Sequence, residues 1–219
     1  AMLEKLIQGG MMMIPLMACS VLMLSVLIER GRAFYLNSRI DVRALRARIL
    51  ELLEEGRVED AITLCGSTPG PTSAVLLVGL QTYKKALAVN ASLEVQRALM
   101  VKAMEDYSPQ AVHAAELRLN WLSTISNVAP LFGMTGTVTG MIRSFGSLSG
   151  GGTLDAGAVG AGISEALVAT ASGLIIALFA LIPYNAFMTR IEKLTLEIGE
   201  AASELVEATS LRSERKARH

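Results

Sequence analysis

"NVAPLFGMTGTVTGMIRSFGSL", Asn127 to Leu148, sits inside a long apolar region, yet every third or fourth residue is small or polar. Taken as a helix, Ser126, Pro130, Gly133, Thr137, Gly140 and Ser144 follow one another at spacings of four, three, four, three and four. That spacing is one continuous stripe. Gly136 and Thr139 flank it, and Leu131, Phe132, Met134, Val138, Met141 and Ile142 take the other sides. A second stripe lies downstream. Ala166, Thr170, Gly173 and Ala177 recur at four, three and four, beside Gly162, Glu165, Ala169 and Ser172. Small residues let backbones approach closely in a membrane, and hydroxyls can bond across helices. Tight helix packing therefore accounts for most of the glycines and alanines. Pro130 removes a ladder bond and is expected to bend its helix locally.

Working outward, three segments are long and apolar enough to cross a bilayer, whose core needs about 20 helical residues. The first is "GGMMMIPLMACSVLMLSVLI", Gly9 to Ile28, which carries no charge and ends at Glu29-Arg30. A signal sequence is the competing reading. The acidic start, the lack of a basic leading region and the lack of a small-residue cleavage site count against it. The second segment is Trp121 to Leu148 and the third Ala158 to Met188, joined by the glycine-rich "SGGGTLDAGA". Two long apolar helices joined this way read as a transmembrane hairpin.

Basic residues orient the chain. Twelve of the 20 Lys and Arg lie between Arg30 and Arg118 and six after Met188, but only Lys5 precedes the first span and none lies in the glycine-rich loop. The positive-inside rule puts the middle and the tail in the cytoplasm. The expected fold is an all-α integral membrane protein with three transmembrane helices, the N-terminus outside and long cytoplasmic helical extensions. Its parts are an outer segment (1–8), the first span (9–29), a cytoplasmic helical region (30–119), the second span (120–147), an outer loop (148–157), the third span (158–188) and a cytoplasmic C-terminal helix (189–219).

In the middle region, "DVRALRARILELLEEGRVEDAITLCGS" places Val42, Leu45, Ile49, Leu52 and Leu53 near a helical period. Gly56 is expected to break it, "VEDAITLC" to start a second short helix and "STPGPTS" to turn. A long helical pattern then runs from about Ser92 into the second span.

Thr137, Thr170 and Glu165 are less easily assigned to packing. Glu165 is the one carboxylate deep in an expected span. Such a charge costs at least about 2.5 kcal/mol on insertion scales. It should face a polar cavity, a partner or a counter-charge, and Arg143 is the candidate counter-charge. At about 1.5 Å per residue, Thr137 and Thr170 lie at matched depths of roughly 15–20 Å from the loop. A hydroxyl both donates and accepts, so it can solvate an ion or relay a proton. The alternative for each threonine is a bond to its own backbone. Cys19 and Cys65 form no disulfide framework, and His113 and His219 supply no metal spacing. No phosphate-binding glycine loop follows a strand. No cofactor, metal, nucleic-acid partner or enzymatic activity is expected.

The paired segments "APLFGMTGTVTGMIRSF" (Ala129–Phe145) and "ISEALVATASGLIIALFALIPYN" (Ile163–Asn185) closely resemble the ExbB/TolQ/MotA family of ion-channel proteins. The resemblance covers about Trp121 to Asn185 strongly and the rest loosely. It implies a homopentamer around single-span helices of an ExbD/TolR-like partner that carries an ionisable Asp. It also implies pore-lining roles for Thr137 and Thr170, a place on the ion path for Glu165, and a TonB-like envelope-spanning protein and membrane lipids among the partners. Pro130, Gly133, Gly140, Ala166, Gly173 and Ala177 would form the packing and pore face. Three spans favour the ExbB/TolQ branch, and an ExbB-like role is expected ahead of a TolQ-like one. The transported ion is expected to be H+, since no oxygen cage for sodium is visible. Rival readings are a self-contained channel or secondary transporter using Glu165 and Arg143, and a purely structural scaffold.

Overall fold

A computed structural model describes residues 9–37, 41–146 and 156–218. The expected outer segment 1–8 and nearly all of the outer loop lie outside them. Among the described residues every regular element is an α-helix: α1 (Met13–Asn37), α2 (Val42–Glu54), α3 (Val58–Ser67), α4 (Pro71–Ala88), α5 (Leu93–Glu116), α6 (Leu119–Gly146) and α7 (Ala156–Arg218). They group into two units, one of Ala1–Gly31 with Arg118–Phe187, the other of Arg32–Leu117 with Met188–His219.

The second unit is built as a water-soluble helical domain is. Asp41 caps α2, its Oδ1 accepting from the N–H groups of Arg43 (3.0 Å) and Ala44 (3.1 Å). The helix ends where the sequence expects, at Gly56. There φ is +89°, a value that favours glycine, and the N–H groups of Gly56 and Arg57 turn back to the carbonyls of Leu53 and Leu52. Arg212 adds a bond to the Gly56 carbonyl at 3.3 Å. Leu45, Ile49, Leu52 and Leu53 are all buried, as their period requires. They join Leu76, Leu80, Tyr83, Met100, Ile198 and Leu205 in one core. Each such side chain contributes about 1.5–3 kcal/mol by leaving water. Cys65 belongs to this core, and burial pushes its thiol up to about 12. Arg46 joins α2 to α7 through Glu204 and, at 3.5 Å, Glu200; the Glu204 bond holds its guanidinium above the ordinary arginine range.

In the first unit Leu16, Leu119, Leu122 and Ile125 are buried, but the contact between α6 and α7 is packed with small residues. On α6, Ala129, Gly133, Gly136, Gly140 and Ser144 are buried; on α7, so are Ala166, Ala169, Ala177 and Ala180. The large apolar side chains Leu131, Met134, Val138, Met141, Ile142 and Phe145 of α6 point outward. α1 begins at Met13 and continues past the charged Glu29-Arg30 pair to Asn37. Helices α1 and α7 each contain a stretch long and apolar enough to cross a membrane, within Met13–Phe34 and Val159–Arg212.

One expectation is corrected. The helical pattern from Ser92 does not run unbroken into the second span: α5 ends at Glu116 and α6 starts at Leu119. Leu117 is extended, and Arg118 is left-handed at φ +72°, uncommon for a residue with a side chain. Arg118 forms an ion pair with Glu29 of α1. The break is accompanied by this tertiary contact, with no Gly or Pro to mark it.

Candidate functional site

The predicted stripe on α6 is the face that meets α7. A methyl group on Gly140 would lie 2.9 Å from the Ala166 Cβ, and one on Gly136 would lie 2.7 Å from the Ala169 Cβ. On Gly133 it would lie 3.0 Å from the Thr170 Cα, and on Gly173 2.6 Å from the Ala129 carbonyl oxygen. Glycine is required at Gly133 and Gly173 because backbone, which cannot swing aside, occupies the space a side chain would need. Ala166 and Ala177 are buried in the same seam, and Pro130 is half-buried within α6.

Thr170 uses that closeness. Its Oγ1 donates across the seam to the Gly133 carbonyl at 2.9 Å, with a longer contact of 3.3 Å to Ala166 O in its own helix. Thr137, one turn along α6 from Gly133, is also half-buried, but its Oγ1 donates to Met134 O of its own helix at 2.6 Å. The two hydroxyls therefore have different partners. Thr170 ties two helices together, while Thr137 makes the local bond that threonine makes in many helices.

Glu165 and Arg143 do meet. Arg143 Nη1 donates to Glu165 Oε1 at 3.0 Å. The Glu165 side chain is 25 % exposed and that of Arg143 63 %, so the acid is the sheltered partner and the arginine the accessible one. Sheltered charges need such a partner, because desolvation otherwise dominates.

Two glycines contribute: Gly10, which was not read from the sequence, and Gly162, which belongs to the second stripe. A side chain on Gly10 would collide with Glu165 Oε1, and Gly10 has φ +71°. The backbone just before α1 thus lies directly on the carboxylate. Gly162 is in contact with Ser144 Oγ in the same way, beside the bond that Ser144 donates to Gly140 O at 2.9 Å. The Gly9-Gly10 doublet at the head of an apolar run was the available signal for the first. Together the parts place the Thr170 hydroxyl and one paired carboxylate at the contact between two apolar helices.

The chain is similar to known proteins. The MotA/TolQ/ExbB proton channel family matches residues 69–200, which include α4, α5, α6, the apolar part of α7 and every residue of the site except Gly10. Its members are channel and transport subunits, not enzymes. The chain is 34 % identical over 187 residues to a biopolymer transport protein of Synechocystis named ExbB-like 3, covering 82 % of this chain and 81 % of that protein. It is 27 % identical over 202 residues to the Tol-Pal system protein TolQ of Haemophilus influenzae, covering 89 % and 85 %. Over a shorter stretch of 86 residues it is 36 % identical to the biopolymer transport protein ExbB of Salmonella typhimurium, covering 39 % and 35 %. With its long apolar helices, the protein is a multi-pass protein of the inner membrane, and it belongs to the MotA/TolQ/ExbB proton channel family.

Proposed function

We propose that this chain is an ExbB-like stator subunit, five copies of which surround single-span helices of an ExbD/TolR-like partner and convert proton motive force into mechanical work on the cell envelope. In this reading α6 is the second of three spans, beside α1 and α7. Its 28 residues extend about 42 Å at 1.5 Å each, more than the hydrocarbon thickness. Its glycines, threonines and serines keep it short of the apolar stretches found in α1 and α7, and Leu131, Met134, Val138, Met141, Ile142 and Phe145 point outward. The N-terminus and the loop between α6 and α7 face outward, and the basic middle and tail face the cytoplasm. Residues 1–8, 9–29, 30–119, 120–147, 148–157, 158–188 and 189–219 keep the assignments given above.

The sheltered Glu165 carboxylate paired with an accessible Arg143 is the observation that carries the reading. A proton arrives from the outer side past Arg143 and Glu165. It passes to an ionisable Asp on the partner helix, beside Thr137 and Thr170. The neutral Asp moves past the apolar part of the ring, which its charged form could do only at a large desolvation cost, and releases the proton inward. Pro130, Gly133, Gly140, Ala166, Gly173 and Ala177 hold the two helices at the spacing this needs. A TonB-like envelope-spanning protein then receives the work. A TolQ-like role is the second reading, supported by the alignment to TolQ over 85 % of that protein.

Native mass spectrometry of the detergent-purified chain tests the assembly. A five-subunit ring is expected. A monomer or dimer that persists in several mild detergents would contradict the stator reading and favour a self-contained channel.

A further inference from the structure

The unit of residues 32–117 and 188–219 contains a cavity of about 640 Å³ that the ion path does not use. One wall is the first turn of α4, where Thr72 and Ser73 line the space. The sequence fixes how that helix starts. Gly70 lies between two prolines at φ +139°, a value that favours glycine, and Pro71 takes the first helical turn. No side chain caps the helix. The first N–H to find a carbonyl within the helix is that of Ala74, bonded to Gly70 O at 3.2 Å. The N–H groups of Thr72 and Ser73 precede it, at the positive end of an 18-residue helix.

An independent feature points the same way. Thr72 is only 3 % exposed, and its hydroxyl has no hydrogen-bond partner. Buried hydroxyls are normally bonded, so this one calls for an explanation. Charge supplies a third indication. Arg43, Arg190 and Lys193 line the cavity, and none is in an ion pair among the described residues. Two of the acids in the same wall are engaged: Asp41 caps α2, and Glu200 lies 3.5 Å from Arg46. Setting aside the Arg46–Glu200 pair, the charges of Asp41 and Glu197 remain, two carboxylates against three cations.

We infer that this cavity binds a phosphate group, held by the N-terminal turn of α4, the Thr72 hydroxyl and the side chains of Arg43, Arg190 and Lys193. A phosphate has enough acceptor oxygens to satisfy N–H groups, a hydroxyl and several cations at once. The space extends beyond a lone phosphate and leaves room for a larger molecule that carries it, either a phospholipid headgroup or a soluble phosphate compound. The inference is independent of the ion path and of the number of subunits.

The test uses the full chain, purified and stripped of lipid. Inorganic phosphate is titrated calorimetrically, and retention of phosphatidylglycerol against phosphatidylcholine is read by native mass spectrometry. Wild type is compared with Thr72→Val and with the double variant Arg190→Gln/Lys193→Gln. Both of the latter residues are exposed, so that variant should fold, and far-UV circular dichroism checks it. Thr72→Val should leave the melting temperature of the unliganded chain undiminished, because its hydroxyl has no partner there. It should weaken binding about fivefold to tenfold, and the double variant by more than tenfold. Phosphatidylglycerol retention that the variants lose identifies a lipid headgroup. Tight phosphate binding without variant-dependent lipid retention identifies a soluble compound. If neither probe binds wild type more tightly than the double variant, the inference is overturned.

Discussion

Helix α7 belongs to two packing regimes along its length. Up to Phe187 its buried residues are small, among them Ala166, Ala169, Gly173, Ala177 and Ala180, while Leu167, Leu174, Ile175, Leu178, Phe179 and Ile182 point outward. After Met188 the pattern inverts. Ile191, Ile198, Leu205 and Val206 are buried, and Glu192, Lys193, Glu197, Glu200, Glu204 and Glu207 face outward. One helix thus carries two solvents in its sequence. In water, large apolar side chains gain by going inside. In a bilayer they gain nothing by it, because lipid is as apolar as leucine. There, close backbone packing and hydrogen bonds between helices hold the fold, and small residues provide both.

This contrast is sharpened by substitutions that should matter in one regime and not in the other. Leu80→Ala, at a fully buried position in the core of the second unit, should cost about 2–5 kcal/mol and lower the melting temperature followed by circular dichroism. Gly173→Ala adds a single methyl but places it 2.6 Å from the Ala129 carbonyl, so it should cost about 1–3 kcal/mol in the same assay. Gly199→Ala, in the same helix with nothing within 4 Å, should instead stabilise by about 0.5–1 kcal/mol through lost unfolded-state freedom. Equal effects at Gly173 and Gly199 would break the contrast, since helix propensity alone would then explain both.

Much of this could be read from the sequence because it is periodic. The stripe of Gly133, Gly140 and Ser144 predicted the buried face of α6, and Leu45, Ile49, Leu52 and Leu53 predicted that of α2. The Glu165–Arg143 pair followed from the cost of a charge at depth. What stayed hidden depends on residues far apart in the chain. The break at Arg118 has no local breaker and is accompanied by an ion pair to Glu29. Gly10 lies against Glu165, which only the fold brings near. The two threonines looked equivalent because their depths matched. Their hydrogen-bond partners separate them: Thr170 reaches Gly133 O, and Thr137 turns to Met134 O.

Proton flux into liposomes holding the chain together with its single-span partner tests the central proposal most directly. Wild type is compared with Glu165→Gln and Thr170→Val under an imposed proton gradient. The account predicts partner-dependent flux that each substitution lowers about tenfold or more, a factor corresponding to about 1.4 kcal/mol in the barrier. Flux left intact by both substitutions would contradict it, and the polar groups of the seam would then be packing elements alone.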